Sequence, residues 1–150
     1  MAQMTGAISP KAMKVEYSAN GVTWTDMSGY AANVEPGGGE RKSGEAYTYD
    51  GETPIVTFAK MNAAEVKIKA VYTKAVNAPF DFFRDALADD DSMYVRWSPE
   101  GGAVNDKLFT LYGHVTDCKP VAGASDDANP ILFSATVKGC AITDSLVVAP

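Results

Sequence analysis

One stretch of this chain has helical spacing: Pro79-Phe80-Asp81-Phe82-Phe83-Arg84-Asp85-Ala86-Leu87-Ala88. Phe80, Phe83 and Leu87 fall at i, i+3 and i+7, a single apolar stripe that must be packed against something. Pro79 suits the first turn, where its missing N–H costs little. Asp81 and Asp85 are read as lying toward the N-terminal end, which the helix dipole favours, whereas Asp89-Asp90-Asp91 sits past the other end, which it does not. The helix is therefore expected to stop by Ala88. A helix of about two turns is marginal alone, so a sheet must hold it. Nearly everything else alternates like a strand or turns like a loop. The pattern predicts a mainly β fold, a β-sandwich or partial barrel, with one short flanking α-helix at about 79–88. At 150 residues the chain fits one domain, 1–150, with extended segments at 1–12 and 141–150.

Met13-Lys14-Val15-Glu16-Tyr17-Ser18 alternates, and Asn20-Gly21 follows. That pair suits the two positive-φ positions of a type I′ hairpin turn, with Val22-Thr23-Trp24-Thr25 as the returning strand. Further strands are predicted at 54–60, 65–73, 93–98, 107–117 and 131–138, with 141–148 as a last strand or extended tail. The alternation is cleanest over 65–73. Val66, Ile68, Ala70 and Tyr72 share a core face, and Glu65, Lys67 and Lys69 share the other.

Between Pro36 and Gly51 the alternation breaks. Pro36-Gly37-Gly38-Gly39-Glu40-Arg41-Lys42-Ser43-Gly44-Glu45 offers no apolar side chain to bury. A long early loop over about 36–51 is expected, and loops of that length in a compact domain are usually functional or disordered, so a contact loop and a floppy surface excursion are both open readings. Tyr47 and Tyr49, at its far end, are placed to anchor on a partner.

The chemistry-bearing residues are few. Cys118 and Cys140 are expected as reduced thiols in or near a core. His114 is read as structural, because with Ser98 and Asp117 it has neither triad spacing nor a nucleophile elbow. Two cysteines and one histidine do not complete a structural zinc site. Asp89-Asp90-Asp91 and Asp126-Asp127 lack the alternating ligands of a calcium loop, and Gly37-Gly38-Gly39 opens no helix to cradle phosphate. No catalytic residue, cofactor or metal is assigned. The net charge of -6 argues against a tight grip on nucleic acid. No apolar run approaches the roughly 20 residues of a membrane span. The first residues lack the regions of a signal peptide, so folding in a cytoplasm is expected. Ser18-Ala19-Asn20-Gly21-Val22-Thr23-Trp24 is similar to the Asp-box hairpin of sialidase-like propellers. It is one residue short, has Asn for Asp and occurs once, so it is read as a hairpin only.

The order of elements resembles the major tail tube protein of long-tailed bacteriophages with non-contractile tails. The likeness rests on the Asn20-Gly21-Val22-Thr23-Trp24 hairpin, the long loop Pro36 to Gly51, the helix after two strands, and the late strands with an extended C-terminus. It is one of layout over nearly the whole chain. It implies a β-sandwich or partial barrel flanked by a helix, six copies in a ring, and rings stacked into a tube lined by one sheet of each subunit. The implied partners are further copies of the chain, other phage tail proteins, and genome DNA passing without specific binding; no membrane insertion is implied. The implied place is the virion tail, assembled in the bacterial host cytoplasm. The loop residues Gly37, Gly38, Gly39, Glu40, Arg41, Lys42, Glu45, Tyr47 and Tyr49 would then form the contact with an adjacent subunit or ring. Phe80, Phe83 and Leu87 would seat the helix.

An acidic subunit suits a conduit, since a duplex carries one negative charge per about 1.7 Å and a basic lining would hold it. Lys67 and Lys69 sit awkwardly with that idea if their face lines the channel. Open sheet edges, a hazard in a monomer, become joints in a ring. A competing reading is a β-sandwich binding or adhesin module using Trp24, Tyr47, Tyr49 or Trp97. A related secretion-system tube protein shares the expected architecture, and an enzyme is a distant third.

Overall fold

A computed structural model describes residues 6–150; the first part of the segment expected to be extended at 1–12 lies outside them. Pro10–Ala12 forms a short 3-10 turn capped by the Ser9 hydroxyl. The strands are β1 (Lys14–Ser18), β2 (Thr25–Asp26), β3 (Ala31–Gly38), β4 (Arg41–Ala46), β5 (Ile55–Met61), β6 (Ala64–Val71), β7 (Ser92–Ser98), β8 (Lys107–Cys118) and β9 (Leu132–Leu146). The helix α1 (Pro79–Asp89) precedes β7. Seven strands form one antiparallel sheet in the order β2-β1-β7-β8-β9-β6-β3, curled into a half-barrel, and β4–β5 form a separate two-stranded ribbon. Of the two architectures expected, the partial barrel is the one formed.

The long strands β8 and β9 belong to two half-sheets at once. Ala64, Gly139, Gly113 and Met93 lie opposite one another in a single row across β6, β9, β8 and β7. On one side of that row β9 is flanked by β6 and then β3; on the other side β8 is flanked by β7 and then β1. Gly113 and Gly139 face each other at the crossing, where the register of β8–β9 shifts by a bulge. Bulges increase local twist and bend a strand, and paired glycines let two backbones approach closely. The sheet curls there.

The concave side of the curl is the core. Val15 and Tyr17 of β1, Val66 and Ile68 of β6, Met93 and Val95 of β7, Leu111 and Val115 of β8, and Phe133, Ala135 and Val137 of β9 all point into it. Helix α1 closes it. Phe83, fully buried, touches Tyr17 from one half-sheet and Phe133 from the other. Phe80 packs on Tyr72 and Phe133, Phe82 on Tyr17, and Leu87 is partly buried against the same cluster. The helix ends one residue later than expected. Asp90 then takes the left-handed conformation, and its N–H and that of Asp91 cap the Ala86 carbonyl.

Three expectations are corrected. The Asn20-Gly21 pair does not make a two-residue type I′ turn, because Gly21 has positive φ and Asn20 does not. Side chains set a wider loop instead. The Ser18 hydroxyl accepts from the Asn20 and Gly21 N–H groups, and Asn20 Oδ1 accepts from those of Val22 and Thr23 at 2.9 Å each. The returning strand shrinks to Thr25–Asp26. The segments 131–138 and 141–148 are one strand, β9. The long loop 36–51 is largely strand: Gly37 and Gly38 end β3, and β4 covers Arg41–Ala46. Backbone pairing alone holds these residues, so no side-chain pattern announces them.

Candidate assembly surface

The ribbon β4–β5 is a bent continuation of β3–β6. At the joint Gly38 and Gly39 both take positive φ, +68° and +74°. A Cβ at Gly38 would stand 2.2 Å from the Ala63 carbonyl oxygen, so no other residue fits without displacement. Backbone bonds carry the ladder across the bend, from Gly39 N–H to the Ala63 carbonyl (3.2 Å) and from Asn62 N–H to the Glu40 carbonyl (2.8 Å). Beyond it Ala46 pairs with Ile55 and Gly44 with Thr57, and the Arg41 guanidinium donates to the Ala59 carbonyl. The tip runs from Tyr47 to Pro54.

Every residue of β4 and β5 is exposed. Of the contact residues expected from sequence, Gly37 and Gly38 end β3, Gly39 and Glu40 form the bend, Arg41, Lys42 and Glu45 lie on β4, and Tyr47 and Tyr49 lie on the tip. Gly37 and Gly38 thus belong to the main sheet at the root of the arm, and the others to the bend or the arm itself. Sequence reasoning missed the apolar strand opposite: Ile55, Val56, Phe58 and Met61 are exposed, Phe58 by 70%. The available signal was a strand apolar on both faces directly after a polar stretch.

The face of the main sheet turned away from the core is polar. It presents Lys67, Lys69, Lys138, Thr136 and His114, with Glu65 between Lys67 and Lys138. Glu35 of β3 pairs with Lys69 at 4.0 Å. The acidic side chains Asp81, Asp85, Asp89, Asp90, Asp91, Asp126 and Asp127 are exposed on the helix or in loops. The net charge of -6 is therefore not spread over this sheet face. An acidic balance read from composition does not describe it.

Beside β1 the same face carries a tight ionic and aromatic cluster. Arg96 Nε donates to Glu16 at 2.6 Å, Lys14 reaches the same carboxylate at 3.1 Å, and the guanidinium lies 3.9 Å over the Trp24 ring. Tyr94 packs tilted against Tyr112 at 4.5 Å and meets Trp24 edge-on. Trp97 is 5% exposed and stacked on Phe109 in the core, so it does not serve a binding module.

The tempting catalytic groups are not brought together. His114 pairs with Ser92 at one end of β7, and Ser98 is buried at the other end. His114 Nδ1 lies 3.4 Å from Asp90 on the surface. Cys118 is buried and faces Ala135, while Cys140 is exposed further along β9; both thiols are free. Burial pushes the Cys118 thiol up to about 11, the nearby Arg84 opposing. Among the described residues no group of three or more potential metal ligands occurs.

No family model and no curated protein matches the sequence. Solved structures do. A chain of the SPP1 tail tube superposes with a TM-score of 0.71 at 8% identity, over 95% of this chain and 81% of that one. A chain from the tail of a gene transfer agent particle, refined with C6 symmetry, gives 0.67 at 8% identity over 93% and 98%. A chain from the sheath–tube complex of the PVC extracellular contractile injection system gives 0.68 at 9% identity over 95% and 94%. At these identities the likeness is one of fold. The chain has the half-barrel-and-helix fold found in the SPP1 tail tube and in related tail and injection-system assemblies.

Proposed function

We propose that this chain is a structural subunit of a phage tail tube. Copies close into rings, rings stack, and the tube conducts DNA from the virion into the host. The observation that carries the reading is the β4–β5 arm, exposed at every residue and apolar along β5. A two-stranded ribbon is marginal by itself, and an apolar strand left in water is an aggregation hazard. Both difficulties vanish if the arm lies against another copy. The fold shared with the SPP1 tail tube supports a tube as the assembly, and the C6 symmetry of the gene transfer agent tail supports six copies per ring.

In this reading the polar sheet face lines the channel, where Glu35 lies 4.0 Å from Lys69 and Glu65 stands opposite Lys138, so that the lysines do not present a bare basic lining to the passing duplex. The partners are further copies of the chain, other tail proteins at the ends of the tube, and DNA in transit. The site of action is the virion tail, after assembly in the host cytoplasm. The likeness to the PVC chain supports a second reading, the inner tube of a contractile injection system.

Negative-stain electron microscopy of concentrated protein, with light scattering on the same sample, tests the proposal. Hollow tubes or rings wide enough for duplex DNA are expected. Uniform monomers at all concentrations, with an arm no more sensitive to protease than the core, would overturn it. Tubes seen sheathed in their native particle select the second reading.

A further inference from the structure

Strand β9 is open on one side over nearly half its length. Strand β6 covers it from Leu132 to Gly139, where Ala64 is the last partner. From Cys140 to Leu146 β9 has β8 on one side and, among the described residues, no strand on the other. Within this stretch Ile142 is partly buried against the core, and the rest is exposed. Such an edge is a ready template for another strand.

The strand that would fill it in the same chain is β5, which leads directly into β6. Continued straight, it would run antiparallel along this edge. The bend at Gly38–Gly39 and Asn62–Ala63 carries it away instead. The two stretches match in length, since β5 has 7 residues and the open stretch is 140–146. Their chemistry also fits. Strand β5 carries apolar side chains on both faces (Ile55 on one, Val56, Phe58 and, past a bulge, Met61 on the other), as suits a strand covered on both sides.

We infer that the open edge of β9, Cys140 to Leu146, receives β5 of a second copy of this chain, antiparallel, with the Met61 end of β5 beside Cys140. The contact joins two different surfaces, so it repeats head to tail and closes a ring or extends a filament. The inference rests on the proposed self-assembly and names the joint that performs it.

Hydrogen exchange read by mass spectrometry on assembled against dilute protein tests the joint. Peptides covering 55–61 and 140–146 are both expected to slow at least about tenfold on assembly. Tubes that form while 140–146 exchanges as in the monomer overturn the joint and leave the tube reading standing. Closed small oligomers with both segments protected support the joint and overturn the tube. A second measurement covers failure to assemble under the chosen conditions. Met61→Cys oxidised with diamide is expected to give disulfide-linked multimers through the native Cys140, lost in Met61→Cys/Cys140→Ser. No multimers from concentrated Met61→Cys protein overturns the joint.

Discussion

Gly113 lies directly opposite Gly139, and each is so close to the facing strand that a Cβ on it would stand 2.1 Å from a carbonyl oxygen, that of Lys138 or Tyr112. Backbone meets backbone there, with no flexible side chain to yield. Gly113→Ala or Gly139→Ala should therefore destabilise by at least about 1–3 kcal/mol, the range of overpacked sites. Urea unfolding of the two variants measures it. An unchanged midpoint would show that the crossing is looser than this geometry.

The bend glycines separate two effects. Gly38→Ala meets both a positive φ and the Ala63 carbonyl, whereas Gly39 has the same backbone sign and open space around it. Gly39→Ala should cost about 1–2 kcal/mol, the penalty of a left-handed L-residue. Gly38→Ala should cost more, or straighten the arm. Circular dichroism melts with limited proteolysis at the arm compare them.

Replacing residues 41–61 by a short Asn-Gly turn should leave the half-barrel folded, since every residue removed from the ribbon's strands is exposed. The melting temperature is expected to hold and assembly to be lost, by light scattering. Retained tubes would remove the arm from the contact.

Phe83 is the one side chain of α1 that touches both half-sheets through aromatic rings. Phe83→Ala should cost about 3–5 kcal/mol, as for a fully buried Phe, and loosen the helix first. Denaturation followed by Tyr and Trp fluorescence checks the size; amide exchange over 79–89 checks the order.

The two thiols should behave differently. Cys118 is held protonated to about pH 11 by burial, against a reference of 9.0. Its folded value is raised, so the stability it confers is complete below the reference and is lost as pH climbs through the interval. Cys118→Ala should flatten the alkaline loss of stability between about pH 9 and 11. At pH 8 iodoacetamide should modify Cys140 and spare Cys118 until the protein unfolds, as peptide mass spectrometry will show.

Most of the main sheet was legible because its strands bury one face and expose the other, as Val66 to Lys69 and Met93 to Trp97 do. The helix was legible from Phe80, Phe83 and Leu87 for the same reason. Much of what failed is set by backbone alone. Gly37 and Gly38 read as loop residues yet end a strand, because their pairing with Glu65 and Ala64 leaves no side-chain trace. Arg41 to Ala46 alternates with nothing, because none of the described residues covers either face. The Asn20-Gly21 turn misled because Ser18 and Asn20 bind backbone amides more widely than a two-residue turn allows. Glu40, Arg41, Lys42, Glu45, Tyr47 and Tyr49 fell on the arm or its bend, but the apolar half of that arm, Ile55 to Met61, read as an ordinary strand.

The arm is joined to the body by hydrogen-bonded strands, not by a flexible tether. A pull on its tip travels down β5 into β6 and meets the β6–β9 ladder along the strand direction. Bonds loaded in that shear geometry share the force, whereas peeling would break them singly. At the bend, the Gly39–Ala63 and Asn62–Glu40 backbone hydrogen bonds tie this path to the neighbouring β3–β4 connection. A tube tied together by such arms would resist stretching along the arm axis, because each arm passes its load into a whole ladder of the subunit's own sheet.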